Sequence, residues 1–405
     1  MYVSQLSLTN YRNYSRMQLD FASGPVLLQG RNAQGKTNLL EALYALSTTT
    51  SPHARADRQL INWLSLSNDV LPFTRLEGWI KRNGGTLHIA ITIVKEGERF
   101  KKDIRLNGVK KRAMDVIGKL NTVMFLPENI ALITGSPSIR RRYLDSMLCQ
   151  IDPEYCRALS QYNKIITQRN ALLKEIAERR RTSDQLDYWD EQLTQRGALL
   201  VTRRHNAILD LDAIARQRHR KLSNGLEGLR LHYAPSFDPH DRPIPNFQLP
   251  LMTKDLGPRA TPAPPLKEVI PIFKIALQKL RNREIVRGVT LLGPHRDDFH
   301  FLVDGIDISL YGSRGQQRTA ALSAKLAEVS LMQQSAGEMP VLLLDDVMSE
   351  LDAERRAQVI EMLQSGEQSF VTATDWTDFP ASFQQQAQCY TVTEGRLEKA
   401  APAQN

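Results

Sequence analysis

Cysteine is nearly absent from this chain. The three present, Cys149, Cys156 and Cys389, form no C-x-x-C pair and fit no zinc-ligand spacing. A zinc ribbon and a disulfide framework are thereby excluded, and reduced thiols in a cytoplasmic setting are expected. Also missing is any apolar run approaching the ~18–20 residues that span a bilayer, which excludes a membrane-embedded role. The first residues, Met1–Leu8, carry neither a basic cap nor an apolar core, so no secretory signal is expected. No internal repeat is visible, and no sustained heptad pattern, which argues against a solenoid and against a long coiled coil. Acidic residues are the scarcer charge: 44 Asp and Glu stand against 53 Lys and Arg, for a net charge of +9. That imbalance favours an anionic partner, nucleic acid before a membrane surface.

What is present is a phosphate loop. Gly30-Arg31-Asn32-Ala33-Gln34-Gly35-Lys36-Thr37 fits G-x-x-x-x-G-K-[ST]. Glycines at both ends let successive backbone N–H groups turn inward toward phosphate oxygens. Lys36 reaches the β- and γ-phosphates as a point charge, and the Thr37 hydroxyl is offered to Mg²⁺. Pro25–Gln29 reads as a buried strand and Thr37–Tyr44, including Asn38, as a helix whose positive end faces the same anion. ATP and Mg²⁺ are the expected ligands, with Lys36 also a catalytic group.

Around the loop the chain is of α/β class. Residues 2–8 and 17–21 alternate as a hairpin, and 47–58 read as a polar, basic linker. Residues 75–81, 86–94 and 101–106 form an antiparallel region punctuated by Gly84-Gly85 and Asn107-Gly108. Leu120–Leu126 is a further strand. Ser138–Cys149 is helical, and 153–222 predict a helical hairpin folded around Arg180–Ser183, with Leu172, Leu173, Ile176, Leu186, Trp189 and Leu193 at helical spacing. Residues 235–265 hold nine of the 20 prolines and predict an extended insertion. Beyond it come a helix at 266–287, strands at 289–292, 299–303 and 306–310, a helix at 313–334, a strand at 341–344, a helix at 353–364 and a last strand at 370–374. The expected domains are a head lobe at 1–136, an arm at 137–286, a second head lobe at 287–400 and a tail at 401–405.

Val341-Leu342-Leu343-Leu344-Asp345-Asp346 is an apolar strand delivering two carboxylates, which is what a cation beside a phosphate loop needs. Asp345 is placed for the metal and Asp346 for polarising the attacking water. The two motifs lie far apart, so the nucleotide domain is split by the intervening arm. Tyr311-Gly312-Ser313-Arg314-Gly315-Gln316-Gln317-Arg318-Thr319 opens a helix with a serine-bearing turn, a second helix-end anion site. Ser349-Glu350-Leu351-Asp352 follows the carboxylates.

Together these motifs resemble the signature and D-loop of ABC-type ATPases. The resemblance narrows to the RecF family of bacterial DNA repair ATPases. It is carried by Leu8–Tyr14, Gly30–Thr37, Phe125-Leu126-Pro127-Glu128, Gly135–Asp145, Leu292–Phe299 and Ser313–Arg318, in that family's order. It implies an ABC-type head with a split phosphate-loop core, a flanking antiparallel β region and a short helical arm. It implies an ATP-dependent homodimer in which Ser313, Gly315 and Gln316 meet ATP bound to the partner protomer. It further implies DNA binding at gaps or single/double-strand junctions, RecA loading with RecR and RecO as partners, and support of replication and the SOS response. The chain departs from the ABC pattern in three places. Glu128 stands where a Q-loop Gln is usual, Phe370–Asp375 carries threonine where a switch His is usual, and Asp346 replaces the common Glu. These departures imply slow hydrolysis, with ATP as a switch. An ATPase subunit energising a membrane transporter and a chromosome-organising head are the alternatives; the inserted arm and the missing switch His speak against the first, the missing coiled coil against the second. Contacts to DNA are expected on backbone phosphates, since no base-reading helix is apparent. Arg140-Arg141-Arg142 and the run Lys279, Arg281, Arg283 and Arg287 are candidates for them, and His295, Asp297, Asp298 and His300 read as structural rather than as a metal cluster.

Overall fold

The computed structural model describes residues 1–240 and 261–400. The heart of the proline-rich insertion, 241–260, and the tail 401–405 lie outside the described residues. The chain divides into two compact units, Met1–Glu128 with Met332–Asn405, and Asn129–Leu331.

The first unit contains two six-stranded sheets. One is mixed and mainly parallel, in the order Arg396–Lys399, Gln388–Thr393, Gly24–Gln29, Gln368–Ala373, Val341–Leu344 and Thr122–Phe125. All neighbours run parallel except the pair formed by 388–393 and 396–399. Its central strands read as apolar runs because both faces are covered: every residue of Val341–Leu344 and of Gln368–Ala373 is buried. The other sheet is antiparallel, running from Tyr14–Asp20 through Tyr2–Tyr11, Phe73–Arg82, Gly85–Glu96 and Arg99–Leu106 to Val109–Lys110. The helix Lys36–Thr48 packs against strands of both sheets. Leu39, Leu40, Leu43 and Leu46 are therefore buried together with Leu28, Leu76, Ile91 and Leu343 in one core.

The second unit is built on helices Pro137–Ile151, Pro153–Ala177, Leu186–Leu222, Leu266–Arg287 and Arg314–Ala336, with a three-stranded antiparallel sheet. Asp152 caps the second helix by accepting the N–H groups of Glu154 and Tyr155, with Pro153 at the first helical position. The hairpin reverses between Ala177 and Leu186, as its sequence predicts, and Leu172, Leu173 and Leu186 close its tip.

Three arm helices are tied through one cation. Arg169, wholly buried, donates from Nε to Asp190 at 2.8 Å, from one terminal nitrogen to Glu284 at 2.6 Å and from the other to Thr290 Oγ1 at 2.8 Å. Removing one member of a buried ion network leaves charges without compensation, at a cost of about 3–5 kcal/mol. Arg169→Leu is expected to lower the denaturation midpoint accordingly. An unfolding free energy within about 1 kcal/mol of the parent would show that water replaces the network at little cost.

Two predicted strands are corrected. Residues 289–292 form no strand. Thr290 N–H donates to Asn170 Oδ1 and Leu291 N–H to Glu284 Oε1, so side chains take the bonds a ladder would have made. The strand at 306–310 stops after Ile306–Asp307, because Asp307 accepts the N–H of Ser309 and starts the helical turn Ile308–Tyr311. Strands at Leu229–Ala234, Gln388–Thr393 and Arg396–Lys399 were not apparent from pattern. The expected second lobe, 287–400, also differs from the compact units: 287–331 groups with the arm helices. The strand Asp298–Val303 there pairs with Leu229–Ala234, which lies along Leu186–Leu222.

Candidate nucleotide-binding site

The phosphate loop leaves the C-terminal end of Gly24–Gln29, the strand next to Gln368–Ala373, which in turn neighbours Val341–Leu344. This order delivers the loop and the carboxylates to the same end of a parallel sheet, where such folds bind nucleotides. Gly35 has φ +115°, and a Cβ there would sit 2.5 Å from Asn13 Nδ2. At Gly30 a Cβ would meet the Val392 carbonyl oxygen at 2.4 Å. Both glycines are demanded by close approach of backbone and neighbour.

Residues from the first hairpin and the last strands brace the loop. Asn13 Nδ2 donates to Gln34 O at 2.9 Å while its Oδ1 accepts from Asn38 at 2.8 Å. Tyr14 OH donates to Gly35 O at 2.9 Å. Gly395 N–H donates to Gln34 O and Glu394 N–H to Gln34 Oε1. Arg12 forms a two-pronged pair with buried Glu41, both bonds 2.8 Å, anchoring the hairpin to the loop helix. Arg31, Asn32 and Ala33 remain exposed at the loop's outer edge.

Lys36 folds back over the loop, its Nζ donating to Gly30 O at 2.6 Å and Arg31 O at 3.1 Å. Burial lowers its pKa, while the charges of Asp346 and Asp345 pull it up again. Thr37 Oγ1 donates to Asp345 Oδ2 at 2.8 Å, so the two expected metal ligands, far apart in sequence, touch. The other Asp345 oxygen accepts from Thr372 Oγ1 at 2.8 Å, and Thr372 Oγ1 accepts from Asp346 N–H at 2.9 Å. Opposed hydroxyl and carboxylate oxygens are hard donors of the kind Mg²⁺ takes, so the residues present fit that ion. Asp346 holds a left-handed φ of +50°, a conformation open to Asp and Asn but poor for most residues. Ser349 Oγ donates to its carbonyl at 2.9 Å.

Thr372 is the residue pattern reading undervalued. The segment Phe370–Asp375 carries threonine where histidine is usual, and within it Thr372 orients the Asp345 carboxylate. The register Leu344↔Val371 sets Asp345 beside Thr372, and only the strand order reveals it. Thr372→Val is expected to raise the Mg²⁺ concentration for half-maximal ATPase activity by about 10- to 100-fold, since such supports typically matter that much. An unchanged Mg²⁺ midpoint would remove Thr372 from this role.

Glu128 is exposed in the turn Pro127–Ile130, directly after the strand that pairs with Val341–Leu344. The signature residues belong to the second unit. There Ser313 and Gln316 cap one another: Ser313 N–H donates to Gln316 Oε1 at 2.9 Å and Gln316 N–H to Ser313 Oγ at 3.2 Å. A Cβ at Gly315 would meet nothing closer than Ser313 Oγ at 3.8 Å.

Most of the remaining candidates are bonded within the fold, whereas Arg142 is exposed. Arg140 makes a two-pronged pair with Asp298 at 2.7 and 2.8 Å and is buried, and Arg141 donates to Asp297 O. Asp297 is buried and accepts from Tyr233 OH at 2.5 Å and Ser236 N–H at 2.7 Å. His295 is bonded to Tyr162 OH at 2.8 Å, and burial lowers its pKa to about 4. His300 pairs with Asp307 at 3.3 Å. Arg281 is held by Asp187 and Asp190, whereas Lys279, Arg283 and Arg287 are exposed at four-residue intervals along one helix face.

Phosphate loop, carboxylate strand, signature helix and inserted arm define an ABC-type ATPase head. A family model described as RecF/RecN/SMC N terminal domain matches residues 2–397. A protein of Roseiflexus castenholzii named DNA replication and repair protein RecF is 41% identical over 99% of this chain and all of its own length. One of the same name from Bacillus subtilis is 39% identical over 98% of this chain and all of its own. A solved structure of the recombination mediator protein RecF-ATPrS in the RecFOR pathway superposes with a TM-score of 0.82 at 33% identity, covering 99% of this chain and 98% of that one. The Smc head domain of Pyrococcus furiosus, at 14% identity and a TM-score of 0.50 over 98% of this chain and 96% of that one, shares the fold. The chain belongs to the RecF family.

Proposed function

We propose that this chain is an ATP-dependent DNA-binding protein of replication and recombinational repair, in which ATP closes a dimer on DNA and slow hydrolysis reopens it. The observation that carries the nucleotide half is the contact of Thr37 Oγ1 with Asp345 Oδ2, which brings the halves of a split motif together. Lys36 swings from the loop carbonyls to the β/γ-phosphates, where loop N–H groups and the helix end already favour negative charge. Thr37 and Asp345 would hold Mg²⁺, whose charge would offset the negative charge of the phosphate oxygens. Asp346 takes the proton of the attacking water. The solved RecF-ATPrS and RecF-ATP structures support ATP as the nucleotide.

Dimerisation is supported by Gly315. Its own chain leaves room for a side chain, and glycine costs a helix roughly 0.5–1 kcal/mol relative to alanine. The close approach that requires it comes from outside, and the γ-phosphate of ATP on a second protomer supplies one. DNA runs along exposed cations such as Lys279, Arg283 and Arg287, which are about 6 Å apart along the helix and reach phosphates rather than base edges. RecR, RecO and RecA are the partners this reading names, with gapped DNA as the site of action and the cytoplasm as its place. Among the described residues no helix is long and apolar enough to cross a membrane.

The test is DNA retention across salt with ATP, with ADP and without nucleotide. Retention is expected with ATP, falling about 10³-fold or more between 50 and 200 mM salt if six or more phosphates are contacted. Equal, salt-insensitive retention in all three states would contradict the reading.

A further inference from the structure

The arm's longest helix, Leu186–Leu222, ends beside the signature turn, and His219 and Glu227, which have no role in the site described above, reach Ser323 and Gln316 of the signature helix. The helix stops at Ser223, and the chain reverses through Asn224 and Gly225, both with positive φ, with Gly225 N–H donating to Arg220 O at 2.7 Å. This reversal sends Glu227 back against His219 in the helix's last turn. His219 is fully buried. Its Nε2 lies 3.1 Å from Glu227 Oε2, and its Nδ1 lies 3.1 Å from Ser323 Oγ on the signature helix. Ser323 Oγ donates its only hydrogen to Thr319 O at 2.7 Å, so His219 Nδ1 is the donor in the other bond. The second Glu227 oxygen accepts from Gln316 Nε2 at 3.0 Å, and Gln316 Oε1 accepts the Ser313 N–H. An unbroken relay therefore runs Ser323, His219, Glu227, Gln316, Ser313. Gln316 is bonded through both amide atoms, to Glu227 and to the Ser313 N–H, which fixes the orientation of its amide.

We propose that Glu227 is a positioning residue for the signature turn, and that with His219 it couples the arm helix to nucleotide-driven dimerisation. Glu227 holds the Gln316 side chain in the orientation that presents the Ser313 backbone and hydroxyl. Without it the amide can rotate, and the turn loses a side-chain anchor that reaches it from outside its own helix. A shift at the helix end moves Glu227 and with it Gln316, so strain in the arm is felt at the turn. This inference rests on the reading that Ser313–Gln316 faces nucleotide on a second protomer.

The experiment measures the ATP concentration for half-maximal dimerisation by sedimentation, alongside ATP binding to the monomer. Glu227→Ala should shift the dimerisation midpoint about tenfold upward, the usual worth of a hydrogen bond to a charged group, and leave monomer ATP affinity nearly unchanged. Glu227→Gln should recover dimerisation to within about twofold, because the amide oxygen can accept from Gln316 while the rest of the side chain keeps its place beside His219. Gln316→Ala should show the same defect as Glu227→Ala, and the double variant should be no worse than Gln316→Ala. Parent-like dimerisation of Glu227→Ala, or defects that add in the double variant, would overturn this inference alone. Dimerisation by Ser313→Arg would overturn the signature reading and this inference with it.

Discussion

Asp346→Asn is expected to lower kcat for ATP hydrolysis by about 10²–10⁴-fold while ATP-driven dimerisation persists. The substitution is a clean one. Asp346 holds a left-handed φ of +50°, and asparagine adopts that conformation as readily as aspartate. The backbone bonds around it, from its N–H to Thr372 Oγ1 and from Ser349 Oγ to its carbonyl, do not involve the carboxylate and survive. What is lost is the carboxylate proposed to take the proton from water. Asp345 keeps its contacts to Thr37 and Thr372, so the proposed metal ligands stay in place. Single-turnover hydrolysis beside sedimentation separates the two effects. Hydrolysis within a few-fold of the parent would move the general base elsewhere. Simultaneous loss of dimerisation would show that Asp346 serves the closed state and not the chemistry.

Ser313→Arg should remove ATP-driven dimerisation at every ATP concentration and leave ATP binding by the monomer unchanged. The phosphate loop that binds ATP in the monomer contains no residue of the signature turn, whereas an arginine on that turn fills the space an approaching nucleotide needs. Loss of the Ser313 cap is a separate and smaller effect. Ser313 Oγ accepts the Gln316 N–H at 3.2 Å, and removing such a cap typically costs about 1 kcal/mol. Ser313→Ala therefore serves as the control: it loses the cap, fills nothing, and should still dimerise, with a weaker midpoint. Dimerisation by the arginine variant would show that this turn does not face the nucleotide.

The phosphate loop and the carboxylate strand could be read from sequence because their chemistry needs fixed residue types at fixed spacing, and each lies within one strand-to-turn segment. Contacts across long separations could not. Asn13 braces Gln34 and Asn38 from a hairpin, and Thr372 orients Asp345 from a neighbouring strand; no local pattern marks either, since strand order decides both. The strand predicted at 289–292 failed for a related reason. Its apolar run is genuine, but Asn170 and Glu284 take its N–H groups from the arm. The basic run on the last arm helix separated by face: Arg281 turns inward to Asp187 and Asp190, while Lys279, Arg283 and Arg287 stay exposed. The helical hairpin and its turn were predicted correctly because leucines at helical spacing and the polar break at 180–183 are local signals. The strands at 388–393 and 396–399 went unnoticed, although Glu394-Gly395 between them is a turn signal, and both residues brace the loop.

The central claim is that ATP is half of an interface supplied by two copies of this chain. Its most direct measurement is the sedimentation of the full-length protein with Mg²⁺ and ATP, with Mg²⁺ and ADP, and with no nucleotide. A dimer with ATP and a monomer in the other two conditions is the predicted result; the same oligomeric state in all three would contradict the account.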